Sequence, residues 1–127
     1  MSTEDSPDHL GGVDVYWLPH CTTCQKAVHY LHERGARVAS LRDLKAQPLA
    51  ESEVRELARK VGGVEALFSK RAMKYRKLGL HEREVGEDEM VKLMAEEYTF
   101  VTRPVIVRGD EATAGFSAKR IDALLGA

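Results

Sequence analysis

The pattern of hydrophobic and polar residues divides the first third of the chain into a strand, a helix and a second strand. Residues 13–18 are rich in aromatic and β-branched side chains, which predicts a short buried strand that ends at Pro19. Residues 22–34 place hydrophobic side chains on one helical face, and Gly35 follows as a stop signal. In residues 37–42 hydrophobic and polar side chains alternate, which predicts a second strand. The short connections predict a β-α-β unit with parallel strands and a right-handed crossover.

The middle of the chain is predicted to be helical. Residues 51–61 repeat hydrophobic positions at helical spacing and are followed by two glycines. Residues 64–80 predict two short helices around Ser69. A further helix is predicted over residues 87–98, where its methionines are expected to fill the core.

The last third of the chain changes to strand patterns. Residues 104–108 and 112–116 predict two strands, and a Gly-Asp pair between them predicts a hairpin turn. Residues 117–125 then predict an amphipathic closing helix. The order β-α-β, helices, β-β-α is that of an α/β protein with a thioredoxin-like fold. We therefore expect a four-stranded mixed sheet and a helical insertion.

Composition and charge limit the class of protein. With 127 residues, of which 43% are hydrophobic and 31% charged, the chain predicts one globular domain over residues 13–127. Residues 1–12 are polar and acidic, which predicts a flexible tail. A net charge of -1 gives no argument for direct nucleic-acid binding or for an anionic membrane. The sequence shows no membrane helix and no signal peptide, so a cytoplasmic location is predicted.

Two cysteines carry the candidate chemistry. Cys21 and Cys24 lie two apart at the predicted start of the first helix, where free backbone N–H groups favour a thiolate. Cys21 is the candidate nucleophile, Cys24 the candidate resolving cysteine, and His20 could donate a hydrogen bond to the sulfur. Zinc binding is an alternative, but only these cysteines and a nearby histidine are available, and about four ligands would be needed. An inert buried pair is the other alternative.

Three segments together resemble the arsenate reductase family of glutaredoxin-like fold, which also contains the Spx transcriptional regulators. The segments are residues 16–27, 67–71 and 102–107, and the resemblance extends over residues 13–126. It implies that Cys21 attacks arsenate, while Arg71 and Arg103 bind the oxyanion and favour the thiolate. His20 is a further candidate for binding the substrate. A forked guanidinium group suits a tetrahedral oxyanion. As surface residues, these arginines could equally be solvated.

The thioredoxin-like fold also implies a cis-proline at Pro104, packed against the active-site thiol; an ordinary trans-proline is the alternative. We expect no bound cofactor and no metal. The resemblance implies an external reductant, either thioredoxin or glutathione with glutaredoxin.

The chain departs from the plasmid-type reductases in two ways. They carry a third arginine just after the final hairpin, where this chain has Gly115 and Phe116, and either Lys119 or Arg120 is a candidate replacement. They also have one active-site cysteine, whereas Cys24 is present here, as in Spx. The leading hypothesis is a thiol-dependent arsenate reductase. The alternatives are an Spx-like redox sensor that binds RNA polymerase, and a general thiol-disulfide oxidoreductase.

Overall fold

The computed structural model describes residues 12–126 of the chain. Two compact units are present among them: one contains residues 12–43 and 103–126, and the other contains Leu44–Thr102. The predicted tail lies outside the described residues except for Gly12, which begins the first strand. The prediction of a single domain over residues 13–127 stays a prediction.

The strands and helices follow one another in the predicted order. In chain order they are β1 (Gly12–Trp17), α1 (Thr22–Glu33), β2 (Arg37–Asp43), α2 (Glu51–Val61), α3 (Val64–Leu67), α4 (Met73–Lys77), α5 (Glu87–Glu96), β3 (Val105–Arg108), β4 (Glu111–Ala114) and α6 (Ala118–Leu125). Short 3-10 turns cover Leu80–Glu82 and Tyr98–Phe100. None of the helices in the described part of the chain is long and apolar enough to span a membrane.

The first unit contains a four-stranded sheet with the order β2-β1-β3-β4. Strands β1 and β2 are parallel, because α1 connects them by a crossover. Strand β3 pairs antiparallel with both β1 and β4. The sheet is therefore mixed, and the predicted thioredoxin-like fold is confirmed, with α2 to α5 as the helical insertion.

The core of the first unit lies where helices α1 and α6 pack on the central strands. Val13 and Val15 of β1 and Ile106 of β3 are fully buried, because alternate residues of a strand point to the same face. They belong to one cluster with Leu31 of α1 and Ile121 of α6. This packing supports the end of β1 and the start of α1, where the cysteines lie.

The second unit has its own core. Phe68 stacks on Phe100 with ring centroids 5.3 Å apart. Two backbone bonds flank this pair: Ser69 N–H donates to Phe100 O at 2.7 Å, and Thr102 N–H donates to Leu67 O at 2.8 Å. The two buried methionines of α5, at positions 90 and 94, fill this core as predicted.

The predicted bounds are correct for α2, and two short helices flank Ser69 as expected. The prediction of a helix continuing to residue 98 is wrong, since α5 ends at Glu96. The Glu97 carboxylate accepts from the Thr99 N–H at 3.4 Å and from the Thr99 hydroxyl at 2.8 Å, which starts a separate turn. Strand β4 also ends earlier than predicted, because Gly115 has a positive φ of 82°.

Candidate thiol active site

The Cys21 turn connects β1 to α1 and places a sulfur at the start of the helix. Cys21 is the N-cap of α1, with extended backbone angles of φ -82° and ψ 116°. Its own N–H donates to Leu18 O at 3.1 Å, which closes the turn that begins before Pro19. Its Sγ accepts from Cys24 N–H at 3.4 Å. The thiol therefore takes the place that a serine or aspartate oxygen takes in an ordinary N-cap.

The surroundings of Cys21 favour its thiolate. Burial is the largest single influence and acts to raise the pKa of this thiol, whereas hydrogen bonds from the Cys24 thiol and backbone N–H lower it. The charge of Arg103 and the Thr23 backbone N–H lower it further. The net result is a Cys21 pKa below the ordinary value. Because the residue is only half-buried, this sulfur is both acidic and accessible.

Cys24 has the opposite character. Its side chain is fully buried, and burial is the largest of the effects that raise its pKa to about 12. The hydrogen bond it donates to Cys21 and the charge of that neighbour raise it further. A hydrogen bond with the Leu18 backbone and the charge of Arg103 lower it only in part. Near neutral pH, Cys24 therefore keeps its proton, whereas Cys21 is the more acidic thiol of the pair.

Arg103 and Pro104 stand immediately before β3. The peptide bond between them is cis, Pro104 is buried, and its carbonyl accepts from Gly115 N–H at 2.8 Å. The half-buried Arg103 is the arginine whose charge acts on both cysteines. The fold thus brings Arg103 to the thiol pair across a long stretch of sequence.

The other predicted oxyanion-binding residues are exposed. His20 precedes Cys21, but the described part of the chain gives its ring no hydrogen-bond partner. Arg71 lies in the turn between α3 and α4, in the second unit, and its N–H donates to Ser69 Oγ at 3.3 Å. The roles of His20 and Arg71 stay predictions.

The candidates for a third cation lie on α6. Lys119 and Arg120 are both exposed. The Arg120 guanidinium donates to Ala114 O at 3.1 Å, and Ala114 pairs with Val105, the residue after Pro104. Of the two, Arg120 is therefore the one that is hydrogen-bonded to β4, the strand that pairs with the residue after the cis-proline.

The described residues also form a concave surface that does not include the thiol pair. A cavity of about 570 Å³ lies within the second unit, and its lining includes Lys70, Tyr75 and Arg83 but none of the predicted site residues. Among residues 12–126, no group of three or more His, Cys, Asp and Glu side chains is arranged to hold a metal ion. The thiol pair is therefore the site with the clearest chemistry.

One contact at this site was missed by sequence reasoning. The Gln25 side chain, one turn into α1, donates from Nε2 to Pro19 O at 2.7 Å. Only the position of Gln25, four residues after the N-cap, could have pointed to it, because a side chain there faces the chain that enters the helix.

A model of the ArsC family matches residues 16–124, nearly all of the described chain. The chain belongs to the ArsC family. Its match begins in β1, includes the thiol pair and the cis-proline, and ends in α6.

Curated relatives of this ArsC-family chain fall into more than one functional class. The uncharacterized protein YusI of Bacillus subtilis is 33% identical over 110 residues, which cover 84% of this chain and 92% of that protein. The global transcriptional regulator Spx 2 of Lactococcus lactis is 28% identical over 114 residues, which cover 89% of this chain and 86% of the regulator. An arsenate reductase of Escherichia coli is 24% identical over 98 residues, which cover 77% of this chain and 70% of the enzyme.

Solved structures show the same fold. An ArsC-family-related protein of Bacteroides fragilis superposes with a TM-score of 0.79 and is 24% identical, covering 89% of this chain and 98% of that one. An arsenate reductase of Vibrio cholerae gives a TM-score of 0.78 at 21% identity, covering 89% of this chain and 97% of that one. At these identities the structural likeness shows the thioredoxin-like fold alone.

Proposed function

We propose that this protein is a thiol-dependent arsenate reductase that converts arsenate to arsenite. The observation that carries the proposal is the asymmetry of the thiol pair. Cys21 is accessible and has a lowered pKa, whereas Cys24 is buried directly behind it with a raised pKa. A reaction that needs one thiolate to attack and a second thiol to resolve the adduct uses this arrangement.

In the proposed reaction, the Cys21 thiolate attacks arsenic(V), a sulfur–arsenic bond forms, and one arsenate oxygen leaves as water. Cys24 Sγ then attacks Cys21 Sγ and loses its proton to solvent. The new disulfide bond forms as the sulfur–arsenic bond breaks, and the electron pair of that bond reduces arsenic(V) to arsenic(III). Arsenate and two thiols thus give arsenite, one disulfide and water. An external thiol could take the place of Cys24 with the same electron balance.

The oxyanion is proposed to be held by Arg103 and Arg71, with His20 as a further donor. Arg103 has the strongest support, because its charge already acts on both sulfurs. A guanidinium group there would neutralise the charge of arsenate as it approaches a thiolate, which otherwise repels it. The proposed roles of Arg71 and His20 are supported by the resemblance to the family and by the exposure of both side chains to solvent.

No bound cofactor is needed for this reaction, since the electrons come from thiols. The resulting disulfide must be reduced externally, and we propose thioredoxin, or glutathione with glutaredoxin, as the reductant. Both are systems of a reducing compartment, so the proposed location is the cytoplasm.

The test is a coupled assay with the purified protein. Arsenate and NADPH are supplied with thioredoxin and thioredoxin reductase, or with glutathione, glutaredoxin and glutathione reductase, and NADPH loss is followed. Turnover in either system supports the proposal. Absence of turnover in both, with protein whose thiols have been shown to be reduced, contradicts it.

Cysteine variants separate the two thiol roles. Cys21→Ser is expected to abolish turnover in both systems, because the nucleophile is gone. Cys24→Ser is expected to abolish turnover with thioredoxin while leaving part of the glutathione-linked rate, since an external thiol can resolve the adduct. Equal activity of Cys21→Ser and wild-type protein would exclude the proposed nucleophile.

An Spx-like redox sensor is the second candidate function. It is favoured by the identity to Lactococcus Spx 2, 28% over 89% of this chain, which exceeds the identity to the Escherichia coli arsenate reductase. In this case oxidation of Cys21 and Cys24 to a disulfide would change docking on RNA polymerase without turnover of a substrate. A general thiol-disulfide oxidoreductase is the third candidate.

The candidates are separated by binding and by substrate choice. A sensor is expected to bind purified RNA polymerase differently in its oxidised and reduced forms and to leave arsenate unchanged. A general oxidoreductase is expected to reduce a model disulfide in the same coupled assay without arsenate. Arsenate-dependent turnover together with redox-independent polymerase binding would favour the reductase over both.

A further inference from the structure

We propose that Gln25 is a positioning residue that holds the Cys21 turn in place through its bond to the Pro19 carbonyl. Its Nε2 lies 2.7 Å from Pro19 O and spans the entry of the chain into α1. This inference deepens the proposed function and rests on it in one respect, namely that Cys21 is the nucleophile.

Gln25 bonds to the turn at two points. Its backbone N–H donates to Cys21 O at 2.9 Å, and its side chain donates to Pro19 O. Inside the turn, Cys21 N–H donates to Leu18 O at 3.1 Å. Proline has no N–H, so the carbonyl is the only backbone group through which residue 19 can be hydrogen-bonded. The side chain of Gln25 therefore supplies the bond that fixes the outer edge of the turn.

The position of the sulfur depends on this turn. Cys21 Sγ lies 3.4 Å from Cys24 N, a contact that a small movement of the N-cap residue would lengthen beyond bonding range. If the Pro19 carbonyl turns to water, residues 19–21 gain freedom relative to the first turn of α1. The thiolate then loses part of the backbone donation that stabilises it.

The test compares two substitutions to methionine on the same helix. Gln25→Met keeps an unbranched side chain of similar length and a good helix former but removes the donor. His29→Met changes another exposed residue of α1, whose contact is with Glu33 at 3.4 Å, and serves as the matched control. The rate of iodoacetamide alkylation is measured across pH on reduced protein, and peptide mass spectrometry assigns it to Cys21.

Gln25→Met is expected to raise the alkylation midpoint of Cys21 and to slow its alkylation near neutral pH by about two- to fivefold, the effect of losing one exposed hydrogen bond. His29→Met is expected to retain the wild-type midpoint. Gln25→Leu, which also removes the donor without adding a charge, is expected to raise the midpoint as well and covers the case in which the methionine variant fails to fold.

If a folded Gln25→Met or Gln25→Leu variant had the wild-type alkylation midpoint, the inference would be overturned, even if arsenate is reduced. An equal shift in His29→Met would overturn it too, because the effect would then belong to the helix in general. A shift confined to the Gln25 variants supports it. Since alkylation needs no arsenate, that support would stand even if the coupled assay showed no turnover.

Discussion

The thiols of Cys21 and Cys24 differ in acidity because one lies at the N-cap of α1 and the other lies within the helix. Cys21 ends a turn and points its sulfur at the first free N–H groups of α1, whereas Cys24 lies inside the helix and is fully buried. Burial raises the pKa of a thiol, and donated hydrogen bonds lower it. At Cys21 these bonds and the charge of Arg103 together reverse the effect of burial, whereas at Cys24 the effect of burial prevails.

The first prediction concerns the charge beside the pair. Arg103→Gln is expected to raise the pKa of Cys21, since a positive charge that stabilises the thiolate is removed. The rise should be smaller than that caused by losing the hydrogen bonds from Cys24, because those bonds lower the pKa of Cys21 more than Arg103 does. The pH profile of Cys21 alkylation measures it. Lys119→Gln, which removes an exposed cation of α6, is the control and should leave the profile unchanged.

The second prediction concerns Cys24. With a pKa raised to about 12, this thiol stays protonated from acidic pH up to strongly alkaline pH. In Cys21→Ser, iodoacetamide should therefore leave Cys24 unmodified near neutral pH until urea unfolds the protein, because burial, the largest cause, remains. Mass spectrometry of native and unfolded samples provides the measurement. Rapid labelling of the native variant would show that the thiol is accessible and would contradict the burial argument.

The sequence predicts the thiol pair and a favoured thiolate at Cys21, but not the raised pKa of Cys24. The spacing of Cys21 and Cys24 and the start of a helix there can be read from local pattern. The effect of Arg103 cannot, because it depends on β3 lying beside β1 in the sheet, a contact between distant parts of the chain. The Gln25 side-chain bond was missed for a different reason: glutamine in an exposed helical position usually contacts water.

At the scale of elements, Cys21 has a structural role in α1 in addition to its proposed chemistry. It is the N-cap, and its Sγ accepts the Cys24 N–H that would otherwise lack a partner at the helix start. A substitution at position 21 therefore tests two properties, and the choice of replacement decides which one is measured.

The third prediction separates these properties. Cys21→Ser keeps an acceptor at the N-cap, whereas Cys21→Ala removes it, so Cys21→Ala should be less stable than Cys21→Ser by about 0.5–2 kcal/mol. Urea unfolding of both variants gives the difference in free energy. Thr22→Ala, at an exposed neighbouring position, is expected to have a smaller effect. Equal stability of the serine and alanine variants would show that the side chain does not cap the helix.

The bounds of the elements could be predicted where local signals agree. Helix α2 begins and ends as predicted, because its hydrophobic spacing stops at Gly62, whose φ of 103° suits only glycine. The end of α5 could not be predicted from spacing, since Tyr98 continues the helical pattern. There the carboxylate of Glu97 captures the Thr99 N–H, a competition between side chain and backbone that periodicity does not show.

At the scale of the whole molecule, the chain order decides how the first unit is built. Strands β1 and β3 pair with each other, yet the whole helical insertion separates them in sequence. The first unit is therefore formed by two distant segments, residues 12–43 and 103–126, and neither contains the complete sheet. Closing so long a loop costs entropy that local helix formation does not.

The fourth prediction follows from this order and from the lengths of the helices. The segment Leu44–Thr102 contains helices of at most 11 residues, which are marginal in water without packing. Together with the predicted single domain, this leads us to expect one cooperative unfolding transition for the full chain. Hydrogen exchange with mass spectrometry at increasing urea concentration measures it, because peptides from both units should lose protection at the same midpoint. If peptides of Leu44–Thr102 lost protection at a clearly lower urea concentration than those of β1 and β3, the chain would consist of two independently stable parts and the single-domain prediction would be wrong.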